Sequence, residues 1–265
     1  MRIDIQLSPA VEPWPMLRDG VRLAEERGFD TAWVFDHFDG SLLGGTTMLE
    51  CFTLLGGLAA VTERIGLGTL VVNAANRAPA VMAQSAASVQ AMSAGRFTLG
   101  LGAGAAPGGK WGAEHGHVGI SMGRTMAERH ARVVETLDEL DRWWDPARSD
   151  ELSGFVLPEP APPVILGVNS VALAELAGRR CDGMNVRSNH DELDALLAAG
   201  HAARATAGGG HLAWDCSVWA MWDDALLRAD HPDRARWAAM GVNRLVLVSL
   251  VPLDRTALAN AVPEP

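Results

Sequence analysis

"RIGLGTLVVNAANRAPAVMAQSAASVQAMSAGRFTLGLGAG", residues 64–104, reads as a complete strand–helix–strand unit. The run 64–72 is short and apolar, ends in a pair of valines, and reads as a buried strand. Pro79 sits in the first turn of a helix whose Met82, Ala86, Val89 and Met92 form one stripe, and Gly95 closes it. "RFTLGLG" (96–102) is the next strand. Two buried strands joined through a helix are parallel neighbours.

The same alternation runs outward in both directions. Upstream lie the strand "IDIQL" (3–7) and a helix with Leu17, Val21 and Ala24 on one face and Gly28 at its C-cap. The strand "TAWVF" (31–35) and an apolar helix over 47–62 follow. Downstream, 103–121 is Gly- and Ala-rich without a period and reads as a loop, and 122–144 as a helix. Then come "PPVILG" (162–167), the helix "SVALAELAGRR" (170–180), the strand "DGMNV" (182–186) and a helix over 190–206. "HLAWDCSVWAMW" (211–222) is a seventh strand, 231–240 a short helix and "NRLVLVSLV" (243–251) an eighth strand. Eight such units in 265 residues predict an α/β fold, a (β/α)8 TIM barrel forming a single domain over 1–265. An open doubly wound sheet is the alternative.

Composition narrows the function. A net charge of −10 with no basic stripe argues against nucleic acid or an anionic membrane surface as partner. Cys51, Cys181 and Cys216 lie far apart without metal or redox spacing, as free thiols in a reducing compartment do. "MRIDIQLSPAVEPWP" lacks the apolar stretch of a signal peptide, and no run approaches the ~20 residues of a membrane span. A cytoplasmic protein is expected.

In a barrel, chemistry gathers at the C-terminal ends of the strands. Four such ends are polar or glycine-rich: Asp36 and His37, Val72 and Asn73, "GLGAG" (100–104), and "GVNS" (167–170). His37 is the group suited to proton transfer, with Asp36 as a positioning acceptor. "GLGAG" lacks the helix that a dinucleotide fingerprint needs after it, so its glycines offer bare backbone to a flat ring or a chain. Asn169 and Ser170 precede a helix and serve either as plain caps or as a phosphate site. "WGAEHGHVG" (111–119) gathers Glu114, His115 and His117 in a surface or substrate-facing loop. A His-x-His pair can hold zinc, yet no third ligand at metal spacing accompanies it, and no metal is expected. Trp214, Trp219 and Trp222 either line an aromatic pocket or pack the barrel.

Three segments together resemble a known family: "RLAEERGFDTAWVFDHF", the stretch from Thr62 to Gly104, and "PPVILGVNSVALAELAGRRCDGMNV". They are similar to the bacterial luciferase-like monooxygenase superfamily, and most to its branch using the deazaflavin coenzyme F420. The resemblance implies a TIM barrel with a flavin-like ring over its C-terminal rim. It places Asp36 and His37 against ring and substrate, a cis peptide at Leu70–Val71 behind the ring, and Asn73 at the ring's polar edge. Gly102, Ala103 and Gly104 would border the ring, and Gly167, Val168, Asn169 and Ser170 match the phosphate-binding segment. It further implies a homodimer acting on a small organic substrate.

Departures accompany the likeness. Ala105 stands where several deazaflavin dehydrogenases carry a glutamate, so no catalytic glutamate is carried over. Val168 and Asn169 replace glycines of the phosphate loop, the fourth-to-fifth strand connection is shortened, and the last helix is truncated. The expected activity is an F420-dependent oxidoreductase transferring a hydride between the deazaflavin and a small organic molecule. The alternatives are an FMN-dependent monooxygenase and a non-catalytic F420- or flavin-binding protein.

Overall fold

The computed structural model describes residues 1–208 and 213–264. Its strands are β1 (Arg2–Leu7), β2 (Thr31–Val34), β3 (Gly66–Thr69), β4 (Val72–Asn73), β5 (Phe97–Gly102), β6 (Val164–Gly167), β7 (Gly183–Arg187), β8 (Asp215–Met221) and β9 (Arg244–Ser249). All pair in parallel, in the order β3-β2-β1-β9-β8-β7-β6-β5-β4. β3 also pairs with β5, which closes the ring. β3 and β4 are two parts of one stave, so the barrel has the eight staves expected.

The helices α1 (Trp14–Arg27), α2 (Cys51–Val61), α3 (Pro79–Met92), α4 (Glu114–His117) and α5 (Met126–Trp144) flank the first half. α6 (Val171–Arg180), α7 (Leu193–Thr206), α8 (Pro232–Ala239) and α9 (Arg255–Asn260) flank the second. Leu17, Val21 and Ala24 are the buried face of α1, and Gly28 ends it at φ 86°, a left-handed conformation that glycine adopts without steric cost. The α3 stripe holds through Met82, Ala86 and Val89, but Met92 is exposed. α2 begins at Cys51 rather than 47, because the Glu50 carboxylate accepts from Thr53 N and caps it there. α5 begins at Met126, where Thr125 and Glu128 form a capping box. The segment 103–121 is less irregular than expected, since it contains a 3-10 turn at Lys110–Gly112 and the single turn α4. The last helix, α9, has six residues. Residues 211 and 212 of the expected seventh strand lie outside the described residues.

Inside the barrel, strand alternation stacks side chains in layers. At the bottom, Asp4 accepts from Arg244 Nη1 at 2.5 Å and from Trp33 Nε1 at 2.6 Å. Arg244 also reaches Asp215 and Thr31. Above them Trp33 spans the bore against Ile165, Val246 and Leu70. It fits because Gly68 faces it, where a Cβ would lie 2.4 Å from the indole. This plug leaves the upper rim as the open end. Among the described residues no helix is long and apolar enough to cross a membrane.

Candidate active site

Two adjoining cavities of ≈ 290 and ≈ 450 Å³ occupy the upper rim and share Phe35, Leu70, Val71, Gly104, Arg187 and Trp219. Their common floor is the break between β3 and β4, where the Leu70–Val71 peptide is cis. Both backbone groups of Leu70 are engaged. Leu70 N donates to Val34 O, and Leu70 O accepts from Gln6 Nε2 at 2.9 Å. Gln6 Oε1 in turn accepts from Trp219 Nε1 at 2.6 Å, so the barrel interior props the floor from below.

The glycines at the rim have a more specific task than bare backbone. A Cβ on Gly102 would lie 2.5 Å from Val71 Cγ2, and one on Gly167 would lie 2.9 Å from Val71 Cγ1. They make room for Val71 to lie in the mouth as an apolar platform. Gly102→Ala is therefore expected to destabilise the fold by about 1–3 kcal/mol through overpacking. Gly108→Ala, with open space around it, should stay within roughly 0.5 kcal/mol. Urea unfolding of both variants decides this, and equal stability would show that Val71 can retreat.

The smaller cavity collects Leu70, Val71, Gly102, Ala103, Gly104, Gly167, Val168 and Asn169. Ser170 is not in its lining but is the N-cap of α6, its hydroxyl accepting from Leu173 N at 3.4 Å. The N-terminus of that ten-residue helix opens beside Asn169, a favourable setting for an anion. The larger cavity collects Asp36, His37, Asn73, Ala105, Trp111 and Glu114. Sequence reasoning thus brought eleven of its twelve site residues to one cleft and the twelfth to its edge.

Their partners differ from those expected. Asp36 does not orient the histidine. Its two oxygens take a bidentate Arg77 fork at 2.8 and 2.9 Å, Asn76 Nδ2 at 2.9 Å and Asn73 N at 3.1 Å. It ties the end of β2 to the segment entering α3. Burial alone would lower the Arg77 pKa, but the Asp36 and Glu50 bonds outweigh that and raise it.

The acceptor on His37 is Glu114, whose Oε1 lies 2.7 Å from Nδ1. Its Oε2 accepts from Phe38 N and Asp39 N at 2.7 and 2.9 Å. Burial pushes the Glu114 carboxyl pKa up, yet these bonds together hold it below the ordinary carboxylate value. A carboxylate can only accept, so His37 Nδ1–H donates to Glu114, and in the neutral form of the ring Nε2 is the nitrogen with the lone pair. Trp111 covers the imidazole with ring centroids 5.5 Å apart.

Glu114 was legible only as a loop residue, because a contact spanning 77 positions leaves no local signal. Its neighbour His115 is also buried rather than at the surface, with Nε2 2.7 Å from Asn76 Oδ1 and 3.0 Å from Asn73 Nδ2. Of the three tryptophans, Trp219 lines the cleft. Trp222 packs near Phe29, and Trp214 near His201. Arg187, at the end of β7, was also missed, although the strand-end rule that picked out His37 applies to it.

These features define an α/β barrel with a ligand cleft on the C-terminal rim, floored by an apolar platform and edged by an oriented imidazole. More particularly, the chain belongs to the luciferase-like monooxygenase family, whose description matches residues 1–221. It is 29% identical over 177 residues to an F420-dependent glucose-6-phosphate dehydrogenase of Nakamurella multipartita, covering 63% of this chain and 50% of that one. It is 28% identical over 200 residues to a 5,10-methylenetetrahydromethanopterin reductase of Methanolobus tindarius, covering 72% and 55%. The chain spans about half the length of these curated relatives. Among solved structures, an F420-dependent secondary alcohol dehydrogenase in complex with an F420–acetone adduct matches with a TM-score of 0.78. That match covers 100% of both chains at 16% identity, a likeness of fold.

Proposed function

We propose that this protein is an F420-dependent oxidoreductase that exchanges a hydride between the deazaflavin and a small organic molecule. The observation that carries the reading is the juxtaposition, in one cleft, of the Leu70–Val71 platform and the His37 imidazole, whose Nε2 has no partner among the described residues. The likeness to an F420-dependent glucose-6-phosphate dehydrogenase supports it. Leu70 and Val71 would back the ring, Gly102 to Gly104 would border one edge, and Asn73 would lie at the polar edge. Gly167 to Ser170, with the α6 N-terminus, would hold the phosphate. When bound, the deazaflavin supplies a carbon that gives or takes a hydride but does not readily activate oxygen. His37 Nε2 takes the proton from a substrate hydroxyl as its carbon loses hydride, or returns it to a carbonyl in the reverse direction. Glu114 fixes the imidazole's orientation and stabilises its charged form. A homodimer in the cytoplasm belongs to the same proposal and is carried by the family likeness.

Titration of the purified protein with oxidised F420 and, separately, with FMN tests the reading through the rings' absorbance and fluorescence. Saturable binding of F420 alone is expected. FMN binding alone would overturn it in favour of flavin chemistry, and binding of neither would remove the cofactor role. Within the same reading, Glu114→Gln is expected to lower turnover about 10- to 100-fold, the rate equivalent of one charge-assisted hydrogen bond. F420 affinity should hold, and the pH dependence of turnover should shift, because the amide no longer stabilises a protonated ring. An unshifted profile would reduce Glu114 to a loop anchor.

A further inference from the structure

His115 is 3% exposed, although most of its neighbours in the segment 103–121 face solvent, and it lines neither rim cavity. The turn α4 carries it beside Glu114, and the two side chains serve different parts of the rim. Glu114 holds His37 and the backbone of Phe38 and Asp39. His115 instead reaches Asn73, at the end of β4, and Asn76 just beyond it. A buried histidine that lines no part of the cleft acts on it through the groups it touches.

The donors and acceptors around His115 fix one another. Asn76 Nδ2 donates to Asp36 Oδ2 at 2.9 Å and to Asp36 O at 3.3 Å. The atom that Asn76 turns toward His115 Nε2, 2.7 Å away, is therefore its acceptor, Oδ1. Asn73 Oδ1 accepts from Ala75 N at 3.0 Å, so the atom it turns toward the same ring nitrogen, 3.0 Å away, is its donor, Nδ2. A donor and an acceptor thus compete for one nitrogen, which cannot both give and take a hydrogen. The shorter contact decides for Nε2–H donating to Asn76. The 3.3 Å contact between Nδ1 and Gly112 O is the weaker claim on the ring proton. Asn73 Nδ2 is then left without an acceptor among the described residues.

Asn73 lines the larger cavity together with His37. Its carboxamide is confined there. Ala75 N holds the oxygen, and Gly104 lies so close that a Cβ would sit 2.5 Å from Oδ1 and 2.7 Å from Nδ2. We propose that His115 is a positioning residue that makes Asn73 a hydrogen-bond donor toward the cleft. The ligand atom opposite Asn73 is then an acceptor, a carbonyl or anionic oxygen. With F420 as the ligand this rests on the proposed function, in which Asn73 lies at the ring's polar edge. The other neutral tautomer, with Nδ1–H, would reverse the arrangement: Nε2 would take the Asn73 N–H and confront Asn76 Oδ1 lone pair to lone pair.

Two measurements test this. Imidazole nitrogen NMR of histidine-labelled protein, with the His115 signal identified by its absence in His115→Phe, is expected to show Nε2 protonated and Nδ1 bare. F420 affinity, read from ring fluorescence, should fall about tenfold in His115→Phe and in Asn73→Ala, the equivalent of one hydrogen bond. The double variant should lose no more than either alone, because His115 acts through Asn73. His115→Gln, whose amide can still donate to Asn76, should keep most of the affinity. If His115→Phe fails to fold, His115→Met takes its place in both measurements. Protonation at Nδ1 alone, wild-type affinity in His115→Phe, or a double variant that loses as much as the two single losses combined would overturn the assignment and leave His115 a packing residue. Each of those results leaves F420 binding by the wild type intact. Failure of the wild type to bind F420 would instead remove the proposed function, and the positioning role with it.

Discussion

Replacing His37 by alanine is expected to lower turnover about 10²- to 10⁴-fold while F420 affinity stays close to that of the wild type. The split follows from where the imidazole sits. His37 lines the larger cavity but not the smaller one, whose Leu70, Val71, glycines and α6 N-terminus form the proposed seat of the ring and phosphate. Removing it leaves the platform and its Gln6–Trp219 support untouched. What disappears is the oriented nitrogen that, in the proposed function, moves a proton beside the reacting carbon. Turnover is read as bleaching of oxidised F420 with whichever hydroxy compound a screen identifies. His37→Asn separates chemistry from packing, because its amide can still donate toward Glu114 but cannot shuttle a proton. Both variants should fall together. Turnover equal to wild type in either would leave a ligand-binding barrel without this catalytic group, and loss of F420 affinity in both would make His37 a binding residue.

The barrel was legible because its signals are local and repeated. Strand runs, caps such as Gly28 and the stripe of α3 each speak for one element, and their alternation speaks for the whole. Misread boundaries fall where a side chain intervenes, as Glu50 does before α2 and Thr125 with Glu128 before α5. The site was legible as a set of strand ends, since a barrel brings all of them to one rim. Its connections were not. Asp36 and His37 are adjacent in sequence, yet one is bound by Arg77 and the other by Glu114, contacts 41 and 77 residues away. Glycines showed the same limit. Their presence at 102 and 167 was visible, but the Val71 side chain that requires them became apparent only with the stave folded.

The largest stability effect is expected at the closed end of the same barrel. Arg244→Met should destabilise the protein by about 3–5 kcal/mol, because it leaves the Asp4 carboxylate buried without its cation. Burial pushes the Asp4 pKa up, and Arg244 and Trp33 pull it back, to about 6. That balance gives the variant a signature that mere loss of packing lacks. In the wild type the folded-state pKa lies above that of the unfolded chain, so this group's contribution is fully present below about pH 4 and declines as pH rises through about 6. Without Arg244 the folded-state pKa rises further, and the decline extends to higher pH. The penalty of Arg244→Met should therefore shrink at pH 5 and grow toward pH 8. Asp4→Asn combined with Arg244→Met should recover part of the loss and flatten that dependence. Urea unfolding of the wild type and both variants at pH 5 and pH 8 measures this directly. A penalty independent of pH would mean that the guanidinium acts by filling space under Trp33 rather than by compensating the Asp4 charge.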